Sequence, residues 1–338
     1  MSKKFTKYLI MPFIMLFILF LISSCSQKKI TTYIINPPKY PQVSKYKTIA
    51  FLPFKGRGGN YFSILLEAKV KNLTINGKPI FKVIDRQNLK SILSEQKLSL
   101  SGLVDDKNAV KIGKLIGVQG IWTGAVLKSK VREYPFFEKR FRCIDDKCKR
   151  VKEYLIRCFK KEAIFSFVAK LIDVSTGEIV YSKEHTGSKY GKYCLDSGYT
   201  ISSEDLLQQS KKEAISKFLR DIAPYKTTYS VKVKEKIDKV SSKDKKIFKN
   251  SLSWLKSKDL NKACDIWEKL LKKYPNNITL LYNLGVCYET KSNLKDAYKF
   301  YKKAYNLLSE PDEDVINALK RVENLLKKQH LLKKLFKR

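Results

Sequence analysis

Histidine is almost absent. Two residues in 338, His185 and His330, are too few for a multi-histidine metal centre, and neither stands beside a Ser or Cys motif that it could activate. Acid is scarce as well. Against 69 Lys+Arg there are 32 Asp+Glu, giving a net charge of +37. Part of that charge reads as solvated surface. The rest fits an acidic partner: anionic lipid, nucleic acid, or an acidic polymer or protein. With 14 Gly and 10 Pro, collagen-like and low-complexity chains are excluded. No Walker spacing, G-x-G-x-x-G, G-x-S-x-G, H-E-x-x-H or paired-carboxylate signature occurs. Asp85-Arg86 and Asp105-Asp106 read as helix N-caps rather than site acids, and His185 and His330 as surface residues. The expectation is a protein that is not an enzyme and has no cofactor and no metal. What the chain does have is 43% hydrophobic residues, with 19 Tyr and 18 Phe, and a length that fits about two domains.

The N-terminus points to a compartment. Lys3, Lys4 and Lys7 precede an apolar run from Tyr8 to Ile22, broken only by Pro12. Its 15 residues fall short of the ~20 that span a bilayer, and fit the core of a secretory signal peptide. Ile22-Ser23-Ser24-Cys25 follows and resembles a bacterial lipobox, in which the cysteine is lipidated and becomes the first residue. The alternatives are an ordinary signal peptide or an anchor helix with an incidental cysteine. Removing residues 1–24 takes away three lysines and no acid, leaving +34. Each buried CH₂ contributes ~0.8 kcal/mol, so a multiply acylated Cys25 is a permanent anchor. Ser26, rather than Asp, implies by the lipoprotein sorting rule an outer-membrane anchor facing the periplasm. In that location nucleic acid is not the partner.

Residues 25–44, with Pro37, Pro38 and Pro41, read as a tether. Residues 45–225 read as an α/β domain with a mixed sheet. Strands are expected over 47–54, 81–84, 118–127, 163–174 and 178–183, and helices over 61–73 (capped by Asn60), 86–97, 107–116 and from Ser203 or Asp205 to about 222. Gly56-Arg57-Gly58-Gly59 reads as a strand-to-helix turn rather than a phosphate cradle. Ser175-Thr176-Gly177 reads as a hairpin turn.

Three runs in collinear order, IAFLPFKGRGGN, FKVIDRQNLKSILSEQKLSLSGLVDDKNAVKIGKLIGVQGIWTGAV and AKLIDVSTGEIVYS, resemble the curli-secretion (CsgG-like) lipoprotein family over about residues 47–222. The resemblance implies a nucleotide-binding-like α/β fold without catalysis in an outer-membrane lipoprotein. Some members form rings and give two β-hairpins per subunit to a transmembrane barrel, while others are periplasmic adaptors or activators of cell-wall synthases. Such hairpins would fall between Leu127 and Ala163 and between Ser182 and Ser203. A spanning strand needs ~9–11 residues that alternate apolar and polar. Here Lys128, Lys130, Arg132, Arg140 and Arg142 are interspersed with Val131, Phe136, Phe137 and Phe141 out of phase, and the second segment is polar. The expectation is an assembly or secretion adaptor, with a pore-forming channel or a synthase activator as alternatives and homo-oligomerisation left open.

Residues 226–243 read as a linker. Beyond them a 34-residue offset pairs Trp254 with Tyr288, Ala263 with Ala297 and Trp267 with Tyr301, while Pro275, Leu284, Gly285 and Ala304 complete the pattern. This resembles two tetratricopeptide repeats at 244–311, closed by a capping helix and basic tail at 312–338. Asn250-Ser251 stand where Leu-Gly are usual. Such repeats offer a concave face to a protein partner. Of the six cysteines after Cys25, Cys143 with Cys148 and Cys158 with Cys194 are expected as disulfides outside the cytoplasm, with a Cys₄ zinc site as the rival. Cys264 and Cys287 read as small buried hydrophobes.

Overall fold

A computed structural model describes residues 28–75, 77–85 and 106–336. Cys25 and the helix expected over 86–97 lie outside the described residues. The elements run β1 (Lys29–Asn36), a 3₁₀ turn (Pro41–Lys45), β2 (Thr48–Phe51), α1 (Gly59–Lys71), β3 (Thr74–Ile75), β4 (Lys78–Pro79), β5 (Lys82–Val83), α2 (Asp106–Ile116), β6 (Gly120–Cys143), β7 (Val151–Asp173), β8 (Ile179–Cys194), α3 (Ser203–Ile222) and β9 (Tyr225–Lys232). Five helices follow: α4 (Ser242–Lys256), α5 (Leu260–Lys273), α6 (Ile278–Thr290), α7 (Leu294–Asn306) and α8 (Glu313–Phe336). Two compact units result. Among the described residues, one holds 36–225 with 331–336, and the other joins 28–35 with 226–330.

The first unit is α/β. Its sheet has the order β5-β2-β6-β7-β8, with β2 parallel to β5 and β6 and the rest antiparallel. Alternation along β2 explains its burial on both sides. Ile49 and Phe51 join Phe62, Trp122, Phe167 and Phe218 on one face, and Ala50 and Leu52 join Ile112, Ile121 and Ile172 on the other. The Gly-rich turn is a packing device. Gly56 has φ +88°, and a Cβ there would strike the Val126 carbonyl. Helix α1 starts at Gly59 behind a left-handed Gly58, so Asn60 lies inside the helix rather than capping it. Ser202 caps α3, its side chain accepting from the Asp205 amide.

The second unit is helical. At the 34-residue offset Trp267 and Tyr301 are both fully buried. Tyr301 packs over Gly285, where a Cβ would enter its ring. In the earlier helix pair Ser251 takes the equivalent place, and its hydroxyl accepts from Trp267 Nε1 at 2.7 Å. The hydroxyl therefore serves as a hydrogen-bond partner where glycine serves as a space. Gly285→Val should cost about 1–3 kcal/mol by overpacking. A fall in the urea midpoint followed by Trp267 fluorescence, absent in Ser251→Thr, is the check. Ala263, Leu284, Ala297 and Ala304 are buried, Tyr288 is half-buried and Pro275 follows the end of α5. Trp254, expected to pack, is 40% exposed because α4 turns that residue outward.

Several boundaries differ from those expected. Residues 29–36, expected within a tether, form β1, which pairs with β9 in a two-stranded sheet. Residues 226–243, expected as a linker, place Val231, Val233 and Ile237 in the helical core. In both segments alternation sends every second side chain inward: Ile30, Thr32, Ile34 and Asn36 in the first, Val231, Val233 and Ile237 in the second. The capping helix is longer than expected, running to Phe336. Cys264 and Cys287 are bonded to each other rather than merely packed.

Candidate functional site

The strands expected over 118–127, 163–174 and 178–183 are far longer. β6 has 24 residues and β7 has 23, paired without interruption from Lys128↔Ser166 to Cys143↔Val151. At ~3.3 Å per residue these outer pairs form an arm about 50 Å long. A register shift between Val126 and Lys128 marks its base. The extra residue re-phases the strand, which is why the apolar positions look out of step in the sequence.

Beyond that bulge the faces separate. Phe137, Phe141, Val151 and Leu155 share one face, each more than half exposed. Lys139 and Glu153 lie among them and neutralise each other at 2.8 Å. The opposite face carries Arg140, bonded to Glu138 (2.8 Å) and Asp196 (3.0 Å). Two disulfides secure the arm. Cys143–Cys148 closes its tip, where Asp145 accepts from the amides of Lys149 and Arg150. Cys158–Cys194 joins directly opposed residues of β7 and β8. Paired this way, these four thiols are not a zinc set. β8 stops at Cys194, and residues 195–202 lead straight into α3, so this segment supplies one strand and no second hairpin.

His185, expected at the surface, is 3% exposed between β8 and α3. Tyr181 Oη lies 2.8 Å from its Nε2 and donates to Asp221 Oδ2 at 3.0 Å. The single phenol proton is thereby committed to Asp221, so Nε2–H of His185 is the donor in the other contact. Lys183 Nζ also reaches Asp221, at 2.9 Å. Burial, above all, lowers the His185 pKa to about 4, with Asp221 opposing and Lys183, Lys217 and Lys39 assisting. The same burial, with Asp221 alongside, pushes Tyr181 well above the usual phenol range. The imidazole is neutral and structural at pH 7.

In the helical unit, the face expected to receive a partner is filled by the chain itself. Tyr282 donates to Lys232 O (3.1 Å), Thr279 to Lys236 O (2.9 Å) and Asn277 to Asp238 O (2.8 Å). Asn283 accepts from the Lys234 amide and donates to the Lys234 carbonyl, each at 2.9 Å. Alternate carbonyls of an extended segment are therefore held along α6. Behind them Glu289, 1% exposed, accepts from Arg321 Nε (2.7 Å) and Nη2 (2.9 Å), Tyr301 Oη (2.7 Å) and Tyr229 Oη (3.0 Å). Sequence reasoning missed Asn283, Asp221 and Glu289. Glu289 had one signal, as the lone charged residue of its helix.

A sheet with this order, its first helix and the strand that begins the arm define the region to compare with known proteins. Residues 56–132 match the family of the curli production assembly/transport component CsgG. The CsgG-like segment covers the Gly-rich turn, α1, α2 and the first half of β6. Residues 249–330 match a domain of unknown function, DUF6340. No curated protein sequence matches the chain. Among solved structures, the LpoB C-terminal domain from Salmonella enterica is 17% identical (TM-score 0.27), covering 44% of this chain and 94% of that one. A lipoprotein from Neisseria meningitidis is 11% identical (TM-score 0.28), covering 51% and 96%. The PelC dodecamer from Paraburkholderia phytofirmans is 16% identical (TM-score 0.25), covering 58% and 98%. Scores this low carry no functional argument.

Proposed function

We propose that this chain is a non-enzymatic, lipid-anchored adaptor for assembly or secretion, held at the outer membrane and facing the periplasm. The observation that carries the reading is the cysteine pairing. Six of the seven cysteines form three disulfides, which belong outside the reducing cytoplasm, and the one left over is Cys25 of the lipobox. The CsgG-like segment supports the same class of role. The helix pairs act as protein-binding repeats of tetratricopeptide type. With the α6 face filled by residues 231–238, their partners take the outer helix faces, and the apolar ladder of the arm offers a further contact.

A curli-type pore is the second reading, favoured by one fact: β6 and β7 exceed the ~9–11 residues of a spanning strand. Against it, the arm's more apolar face still carries Glu133, Lys139, Glu153, Arg157 and Lys161, and a cation at the midplane costs ~2–4 kcal/mol. The wild-type chain should fractionate with membranes and need detergent for release. In about 1 M salt, which screens attraction to headgroups, Cys25→Ser should move roughly nine-tenths of it or more into the soluble fraction. Planar bilayers with the wild type should show no unit conductance. Discrete steps would replace the adaptor with the channel.

A further inference from the structure

Lys28 fixes where the chain start meets the folded protein. Its carbonyl accepts from the Val233 amide at 3.0 Å, and its own amide donates to Glu235 Oε1 at 2.8 Å. Cys25 lies three residues upstream, and three residues reach at most ~11 Å. The helical unit therefore starts within that distance of the proposed lipid anchor, rather than at the end of a 20-residue tether.

Beside Lys28 lies an open cleft of about 1640 Å³, lined by residues 232–236, 238–239, 273–279, 307–308, 312 and 314 together with Lys29. Six lysines line it: Lys29, Lys232, Lys234, Lys236, Lys239 and Lys273. Three are matched by acid, with Lys234 on Asp312 (2.7 Å), Lys232 on Asp314 (3.6 Å) and Lys273 on Asp244 (3.2 Å). Lys29, Lys236 and Lys239 are exposed and make no ion pair among the described residues. Lys239 is held at φ +57°, a left-handed conformation that a lysine adopts only when its surroundings impose it.

We infer that this cleft binds the phosphate headgroups of anionic phospholipid, so that the helical unit sits against the membrane to which Cys25 is attached. The inference rests on the anchor reading for its geometry. Charge complementarity and proximity carry it. Each lysine near an anionic surface strengthens binding about fivefold, and the field acts over a Debye length of ~8 Å, comparable to the reach from Cys25. Acyl chains and lysines then act together, and a basic patch beside a lipid chain makes the second of two anchoring signals.

The test uses the mature chain with Cys25→Ser, so that binding reports the protein surface alone. It should sediment with vesicles of phosphatidylglycerol and phosphatidylcholine (roughly 30:70) and not with phosphatidylcholine alone. The triple variant Lys29→Gln, Lys236→Gln, Lys239→Gln should weaken that binding about a hundredfold. The control triple Lys69→Gln, Lys130→Gln, Lys152→Gln, with the same charge change on exposed lysines of the α/β unit, should lose less than about threefold. Inorganic phosphate at millimolar concentration should not displace the vesicles. Equal losses in the two triples overturn the proposal, because net charge alone then explains binding. So does polyglutamate binding to the cleft with no vesicle binding, which would assign it to an acidic peptide. The mass of Cys25 in the wild type is read separately. An unmodified Cys25 with a selective cleft triple removes the anchor and keeps the cleft. An acylated Cys25 with indistinguishable triples removes the cleft and keeps the anchor.

Discussion

Glu289→Ala lowers the stability of the helical unit by about 3–5 kcal/mol. The carboxylate is fully buried and takes four hydrogen bonds, two of them from Arg321. Removing it strands the guanidinium and two phenols without their acceptor, at the cost of an uncompensated charge. In the native protein burial, above all, raises Tyr301 well above the usual phenol range, and Glu289 adds to that. The double change Glu289→Leu with Arg321→Leu should recover much of the loss, because a buried ion pair is often neutral against a well-packed apolar pair. Urea unfolding of the full chain, with Trp122→Phe so that the signal comes from Trp254 and Trp267, measures both. A loss below ~1 kcal/mol in the single variant would show that the carboxylate is not what joins α6, α7, α8 and Tyr229.

Acid weakens the α/β unit between about pH 6.5 and pH 4. His185 has its folded pKa lowered to about 4, while the unfolded chain titrates near 6.5. As pH falls through 6.5 the unfolded state takes up a proton that the native state refuses. The stability held at neutral pH is lost across that window and the loss levels off below 4. About 2.5 units corresponds to roughly 3 kcal/mol as an upper figure. Asp173, lowered to about 2 chiefly by its hydrogen bonds from Ser175 and Tyr46, is shifted in the same direction, and its loss falls at more acid pH, below the window. His185→Gln keeps a donor toward Tyr181 and cannot titrate, so its stability should be flat from pH 6.5 to 4. The check is the urea midpoint at each pH in a Trp254→Phe, Trp267→Phe background, so that the fluorescence comes from Trp122. A wild-type slope that persists in His185→Gln would assign the acid sensitivity to other groups.

Much of this protein was legible in one dimension. The mixed sheet, the helix that begins at Ser203, the hairpin turn at Ser175–Gly177 and the helical character of the C-terminal part follow from local rules: alternation, turn residues and apolar spacing. The arm was half-legible. Its cysteines were expected in pairs, but its strands were ended too early. Charged residues on both faces look like loop when read singly, and they are paired only when Lys139 meets Glu153 across strands and Arg140 meets Asp196 in the turn after β8. Tether and linker were misjudged for a related reason. Each is marginal as an isolated strand, and they become ordered only by pairing β1 with β9 and lying along α6.

The sequence by itself determined the compartment signals, the class of each unit and the absence of catalytic motifs, because these are written in composition and in spacings shorter than a helix or hairpin. Tertiary structure alone decided which distant residues meet. Asp221 reached His185 and Tyr181 across two elements, Arg321 found Glu289 from another helix, and residues 28–35 joined a unit whose remainder begins nearly two hundred positions later. The physical reason is that a buried polar group needs a partner, and nothing local says from where in the chain it will come.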